Sequence, residues 1–332
     1  MLINDNMHLF NVLHSIEFER ENGYCSNEET KERLLHLNQM ALEKGELSFS
    51  FKVCKELEEV CSEHELHNLL ENLGERSYQE GELPVAYDAF SKSGNLERLK
   101  IVGKKAFETQ DLYTAEKSFD LLRDREGLLK VIRVYNQRDE FGSLEFALQH
   151  YLGQDFIREV CGNFDTWLEK KGIPYAPAFE TSKVINMAYH LADKYDVGVG
   201  IARGGSFSTY IFDLFGLDTK IVDSHRRGRG ATFSWINQPL EEELEGKKVV
   251  VFDKDVVSGR TTRRIGRELE KYNPERIDLV LNHDPVDVLW SYGSLLGNVS
   301  SSYDDVYYPK RFSYRNFDKV VERLEESLEN GK

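Results

Sequence analysis

The stretch from Lys247 to Arg264, KKVVVFDKDVVSGRTTRR, constrains the fold more tightly than any other part of the chain. Val249, Val250, Val251 and Phe252 form a run of β-branched and aromatic residues, the pattern of a strand covered on both faces as in a parallel sheet. Asp253 and Asp255 break that run. Ser258, Gly259, Thr261 and Thr262 then supply a tight turn, hydroxyls and backbone N–H groups, with a helix expected to begin at about Thr262. A helix N-terminus made in this way receives an anion. A strand, an acidic step and an anion cradle in series suggest a sugar phosphate as ligand.

Two further motifs precede it. In DVGVGIARGGSFSTYIFDLFG a strand is predicted around Val197–Ala202, then a turn at Arg203, Gly204, Gly205 and Ser206, then an amphipathic helix to about Gly216. This is a βα unit with an anion site at its tip, although a Gly-Gly turn alone is a common feature of turns. After a second strand at Thr219–Asp223, the segment SHRRGRGATFSWI places His225, Arg226, Arg227 and Arg229 within five positions, interleaved with Gly228 and Gly230. A solvated charged loop is one reading. The other is a loop that closes over a diphosphate, with glycine hinges and arginines gripping phosphoryl oxygens.

In these three motifs, taken in order over residues 178–285, the chain resembles the type I phosphoribosyltransferase family. That family carries an apolar strand, two acids and a Thr/Ser-Gly-x-Thr turn, preceded by a diphosphate loop and a flexible basic loop. Asp253 matches the first acid and Ser258-Gly259-Arg260-Thr261 the turn, while Lys254 stands at the second acid position. The resemblance implies displacement of diphosphate from C1 of phosphoribosyl diphosphate by a nitrogen acceptor such as a nucleobase, with Mg²⁺ bridging ligand oxygens. It implies Asp253 and Asp255 as the catalytic and metal-contacting acids. Arg203, Gly204, Gly205, Ser206, Arg226, Arg227 and Arg229 would hold diphosphate. Lys254, Val256, Val257, Ser258, Gly259, Arg260, Thr261 and Thr262 would line the ribose phosphate. The bound species would be phosphoribosyl diphosphate or a nucleoside monophosphate. No residue presents itself as general base, since some family sites use an acid where this chain has Val257.

A fourth strand is predicted at Arg276–Leu281, and strands alternating with helices imply a doubly wound, mainly parallel α/β sheet with the site at the strands' C-terminal ends. His283 and Asp284 follow it, but adjacent residues at a strand end face opposite ways, so a coupled pair is not expected. Trp290, Tyr292, Tyr303, Tyr307, Tyr308 and Phe312 are expected mostly to pack on the sheet, and a last helix is predicted over Asn316–Leu328.

The first half of the chain is different in kind. From Leu34 to Leu152 apolar residues recur at three and four, the period of helices. Gly74, Tyr78, Gly81, Leu83, Ala86 and Phe90 reappear 29 residues later as Gly103, Phe107, Gln110, Leu112, Ala115 and Phe119. The same offset carries Leu112, Ala115 and Phe119 onto Phe141, Leu144 and Leu148, and Gly45, Leu47 and Cys54 form a looser copy 36 residues before Gly81, Leu83 and Phe90. Helical hairpins that cover one another's apolar faces make an α-solenoid. The pattern resembles the tetratricopeptide class without its Trp and Pro signature and with a period shorter than that class's roughly 34 residues. Lone histidines here, such as His36, His64, His67 and His150, read as surface or hydrogen-bonded groups, and the repeated aromatics read as core.

Length and charge complete the picture. A chain of 332 residues is expected to hold two domains, 1–160 as the all-α repeat and 161–332 as the α/β part. Of the net charge of −15, 31 acidic against 19 basic residues fall in 1–160 and 27 against 24 in 161–332, so no nucleic-acid partner is expected. With no apolar run near the roughly 18 residues of a membrane span, and an opening MLINDNMHLFNVLHS unlike a secretory signal, a cytoplasmic protein without a membrane partner is expected. Cys25, Cys54, Cys61 and Cys161 read as buried free thiols, a Cys54–Cys61 disulfide being the alternative. The repeats could bind a protein segment, form a homodimer or only cover the second domain. Three functional readings follow: a phosphoribosyltransferase; a catalytically silent regulatory or ligand-binding relative, for which Lys254 speaks; and a solenoid whose sheet is only a scaffold.

Overall fold

The computed structural model describes residues 3–138, 140–178, 180–224, 226–227, 230–236, 238–254, 260–282 and 302–330. The chain divides into two compact units, Met1–Val131 and Ile132–Lys332. Its first part is helical throughout: α1 (Ile3–Glu21), α2 (Asn27–Glu43), α3 (Leu47–Leu57), α4 (Glu63–Glu80), α5 (Leu83–Ser93), α6 (Leu96–Glu108), α7 (Leu112–Leu121) and α8 (Arg125–Gln137). Among the described residues no helix is long and apolar enough to cross a membrane.

The repeat read from the sequence is a repeat of helix-to-helix turns. The residue before each second helix, Glu46, Glu82 and Asp111, has nearly the same backbone, with φ near −80° and ψ of 64°, 66° and 73°. Each donates its N–H back across the end of the preceding helix, to Ala41, Ser77 and Ala106, at 2.8–2.9 Å. This is the bond that closes a helix through a left-handed residue, and that residue is Gly45 (φ 74°), Gly81 (φ 85°) and Gln110 (φ 67°). Packing repeats as well. A methyl group on Gly74 would stand 2.6 Å from the Phe90 ring, and one on Gly103 2.8 Å from Ser118 Cβ and 3.2 Å from the Phe119 ring. Each glycine is thus the gap into which the next helix's phenylalanine fits.

The second unit continues with α9 (Phe141–Leu152), whose preceding Glu140 has the same backbone (φ −83°, ψ 65°), and α10 (Gln154–Lys171). Both lie in the α/β unit: Phe164 packs edge-on against Phe207 at 5.1 Å, and Trp167 Nε1 donates to Asp213 Oδ2 at 2.7 Å. Next come α11 (Thr181–Leu191), β1 (Val197–Ile201), α12 (Ser206–Leu214), β2 (Asp218–Asp223), β3 (Arg226–Arg227), β4 (Gly230–Ala231) and β5 (Ser234–Trp235). β6 (Lys248–Asp253), α13 (Arg260–Glu270), β7 (Arg276–Leu281), β8 (Asp305–Tyr307) and α14 (Phe317–Glu329) complete it.

The sheet runs β5-β2-β1-β6-β7-β8, parallel except for β5. Helices cover both faces, giving the α/β doubly wound architecture expected. Ile265 and Leu269 of α13 join Val199, Val251 and Leu279 on one face, while Phe212 of α12 meets Phe252 at 4.4 Å on the other. The Val-Gly-Val-Gly alternation of β1 decides how close α12 comes. A methyl on Gly200 would lie 1.9 Å from Thr209 Oγ1, and one on Gly198 2.7 Å from the Phe252 ring.

Three features depart from the sequence reading. The basic segment forms a short antiparallel hairpin, with Arg226 opposite Ala231 and Arg227 opposite Gly230, followed by β5 returning along β2. β8, three residues long, extends the sheet beyond the strands foreseen. The cysteines are free, with no Cys54–Cys61 disulfide, yet only Cys54 is buried; burial pushes its thiol up to about 12.

Gln110→Gly is expected to raise the stability of the helical unit by about 0.5–1 kcal/mol, since glycine enters the left-handed region without the cost of a Cβ. Gly81→Ala should lower it by a similar amount, because open space surrounds Gly81 and only its φ is unfavourable to alanine. Urea unfolding followed by helical circular dichroism measures both.

Candidate functional site

The order β2-β1-β6 makes the boundary between β1 and β6 the point where the chain reverses direction across the sheet. In open α/β sheets ligands bind beside such a point, outside the strands' C-terminal ends. Register aligns those ends: Ile201 pairs with Val222, Gly200 with Phe252, and Asp253 with Leu281. The C-terminal ends of β1 and β6 therefore lie side by side.

The first turn holds Arg203, Gly204, Gly205 and Ser206. Arg203 has a left-handed backbone (φ 72°), and its N–H donates to the Ser206 hydroxyl at 3.1 Å. Gly205 N–H closes the turn onto Ile201 O at 2.7 Å, and Thr209 Oγ1 donates to Gly205 O at 2.8 Å. Ser206 is fully buried and begins α12, so the backbone N–H groups of the helix's first turn face the end of the sheet. Two close approaches lock this turn to β6. A methyl on Gly205 would stand 1.9 Å from Phe252 O, and one on Gly204 2.5 Å from Asp253 Oδ1.

In the second turn Asp253 ends β6 half-buried, its Oδ1 accepting the Lys254 backbone N–H at 2.8 Å. Asp255, Val256, Val257, Ser258 and Gly259 lie outside the described residues, as do Arg229, His283, Asp284, Trp290 and Tyr292. Among the described residues α13 runs from Arg260, so the helix is already formed at the expected start near Thr262. Arg260 is exposed, Thr261 half-buried and Thr262 buried. β4, paired with Arg226 and Arg227, lies against α13. Of the predicted site residues that are described, the structure thus brings Arg203–Ser206 against Asp253 and Lys254.

Sequence reasoning did not assign two supports of this edge. Ser208 of α12 donates to Asn282 Oδ1 at the end of β7, and both residues are fully buried. Tyr303, read only as a packing aromatic, donates its hydroxyl to Thr262 O at 2.6 Å. Burial, and then the charge of Asp253, push its phenol above the usual tyrosine range. No sequence spacing links Tyr303 to Thr262, so only the fold reveals it.

Among the described residues no group of three or more His, Cys, Asp or Glu could hold a metal ion. A cavity of about 440 Å³ lined by Glu270, Asn273, Arg276, Ile277, Tyr303 and Asp304 lies at the opposite, N-terminal end of β7. It lies at the other end of the parallel strands from Arg203–Ser206 and Asp253.

No protein-family model and no curated protein matches the chain. Solved structures similar to part of it include a protein from Aquifex aeolicus, 21% identical over 34% of this chain and 52% of its own length, TM-score 0.28. A purine phosphoribosyltransferase from Pyrococcus horikoshii is 21% identical over 39% of this chain and 81% of its own, TM-score 0.28. A hypothetical protein from Neisseria gonorrhoeae with bound ppGpp is 17% identical over 46% and 95%, TM-score 0.28. Similarity at this level carries no activity across.

Gly205→Ala is expected to destabilise the second unit by roughly 2–4 kcal/mol, because the new methyl meets a strand carbonyl that cannot turn away. Thermal unfolding followed by tryptophan fluorescence, with Trp167 and Trp235 both in that unit, measures it.

Proposed function

We propose that the α/β part of this chain binds phosphoribosyl diphosphate across the turns after β1 and β6 and transfers its phosphoribosyl group to a nitrogen acceptor such as a nucleobase. One observation carries the reading: at the sheet's reversal point the glycine turn after β1 lies against the acid that ends β6, with Gly204 in direct approach to Asp253. In this reading the backbone of Arg203–Ser206 holds the diphosphate, with Gly204 and Gly205 letting the turn close directly on Asp253 and the Phe252 carbonyl. Arg226, Arg227 and Arg229 of the hairpin segment add charge to that end. Asp253 receives a ribose hydroxyl, and the turn at Val256, Val257, Ser258, Gly259, Arg260, Thr261 and Thr262 receives the 5-phosphate. The transition state carries positive charge on the ribose ring and negative charge on the leaving diphosphate, so Asp253 and the β1 turn stand at the ends where each charge develops.

Mg²⁺ suits this site. The ion keeps several waters and needs one or two protein carboxylates when a ligand's phosphates supply its other oxygens, and Asp253 beside the Gly204 cradle meets that need, with Asp255 as a second candidate. It would neutralise the diphosphate as that group departs.

Lys254 supports a second reading, a ligand-binding or regulatory protein without turnover. A cation at this position replaces an acceptor for the ribose hydroxyls and can neutralise the neighbouring acid. The helical repeats of 1–160 would then serve a protein partner or a homodimer, and a cytoplasmic setting suits either reading.

Isothermal titration with phosphoribosyl diphosphate and Mg²⁺ tests both. Binding by the wild-type chain is expected, weakened tenfold or more in Asp253→Ala; absence of heat from the wild type would end both readings. Lys254→Asp is expected either to tighten binding or to start diphosphate release in a panel of purine, pyrimidine and small amine acceptors. If Lys254→Asp changes neither, the assignment of this turn fails.

A further inference from the structure

We infer that Tyr303 is a positioning residue that ties the first turn of α13 to the sheet and so fixes the 5-phosphate end of the site. The inference rests on the ligand reading above but draws on separate contacts.

The anchor begins on the strands. Asp304 is bonded twice to Ile277 of β7, its N–H donating to Ile277 O and its carboxylate accepting Ile277 N–H, each at 2.8 Å. Tyr303, the residue before it, is therefore held at the backbone by the sheet. Its ring is buried at 6% exposure among Ile265, Leu269 and Leu279, and its hydroxyl reaches Thr262 O at 2.6 Å. Thr262 lies in the first turn of α13, where a helix is least held by its own hydrogen bonds. The route is made by a missing side chain. A methyl on Gly266 would lie 2.9 Å from Ser302 O and 3.1 Å from Ser302 Cβ, so only glycine lets this segment pass close enough for the tyrosine to reach back one turn.

A turn that receives a phosphate must present its N–H groups in a fixed direction, and a helix end free to fray does so poorly. Tyr303 supplies a fixed point from outside the helix. A hydroxyl that merely satisfied its own burial would leave ligand binding unchanged when removed, and this separates the two roles.

The test uses the full chain, Tyr303→Phe and Gly266→Ala, titrated separately with ribose 5-phosphate and with inorganic diphosphate, each with Mg²⁺. Both variants are expected to lose affinity for ribose 5-phosphate by about fivefold or more, the worth of one hydrogen bond. Affinity for diphosphate, held at Arg203–Ser206, is expected to stay within about twofold. Without ligand, hydrogen exchange over residues 260–266 should quicken in both variants. Unchanged exchange in Tyr303→Phe, or equal weakening of both ligands, would overturn the inference while leaving the ligand reading intact. If the wild-type chain binds neither ligand, the ligand reading itself fails and takes the inference with it, whatever the exchange data show.

Discussion

The turn after β1 can close on Asp253 at the end of β6 only because the backbone of β1 lies nearly bare against its neighbours. Gly198 and Gly200 remove the side chains that would hold α12 and Phe252 away, and Gly205 lets the turn after β1 press on the Phe252 carbonyl. With a Cβ at any of these positions α12 would ride outward and its N-terminal turn would part from Asp253. The buried Ser208–Asn282 bond then extends the same contact to β7, so that α12 is tied to strands on either side of β6. Helix docking and site geometry are therefore one constraint in this unit, and it is written in four glycines between 198 and 205.

The parts of this arrangement that were legible in the sequence are those whose physics is local. β6 and β7 read as strands because both faces of a central parallel strand are apolar, and the β1 turn because glycines and a serine follow a strand and open a helix. The helical repeat was legible at Leu83, Leu112 and Phe141 because apolar residues recur 29 positions apart, and at Leu47 through a looser copy 36 positions from Leu83. What stayed hidden depends on distance. β8 is only Asp305–Tyr307 and is a strand by virtue of pairing with β7. Tyr303 and Thr262 are 41 residues apart in sequence, with no motif to join them. The hairpin of β3 and β4 was obscured by its own composition, since arginines and glycines in alternation read as loop.

Charge shows the same contrast between sum and place. The chain is acidic overall, at −15, yet the exposed side of α13 carries Arg260, Arg264 and Arg267 with Arg263 half-buried beside them. Arg264 is taken up by Glu268 at 2.7 Å, and Glu268 also holds Lys271, so part of this positive charge is spent within the helix. At physiological salt, charges separated by more than about 8 Å are largely screened. An anion at the start of α13 therefore experiences the arginines beside it far more than any charge beyond that distance. A negative net charge sets solubility and leaves the site's local field to these few residues.

Lys254 shows how far binding and turnover are separable here. The bond to Asp253 Oδ1 comes from the Lys254 backbone N–H, which any residue but proline would supply. That bond is thus indifferent to the side chain at 254, and an acid could be exchanged for a lysine with the bond kept. In the reading proposed above, the exchange changes the charge offered to the ribose hydroxyls. A chain under pressure to keep a phosphoribosyl ligand but not to consume it would need little more than this one change, whereas loss of binding would require disturbing glycines on which the sheet itself depends.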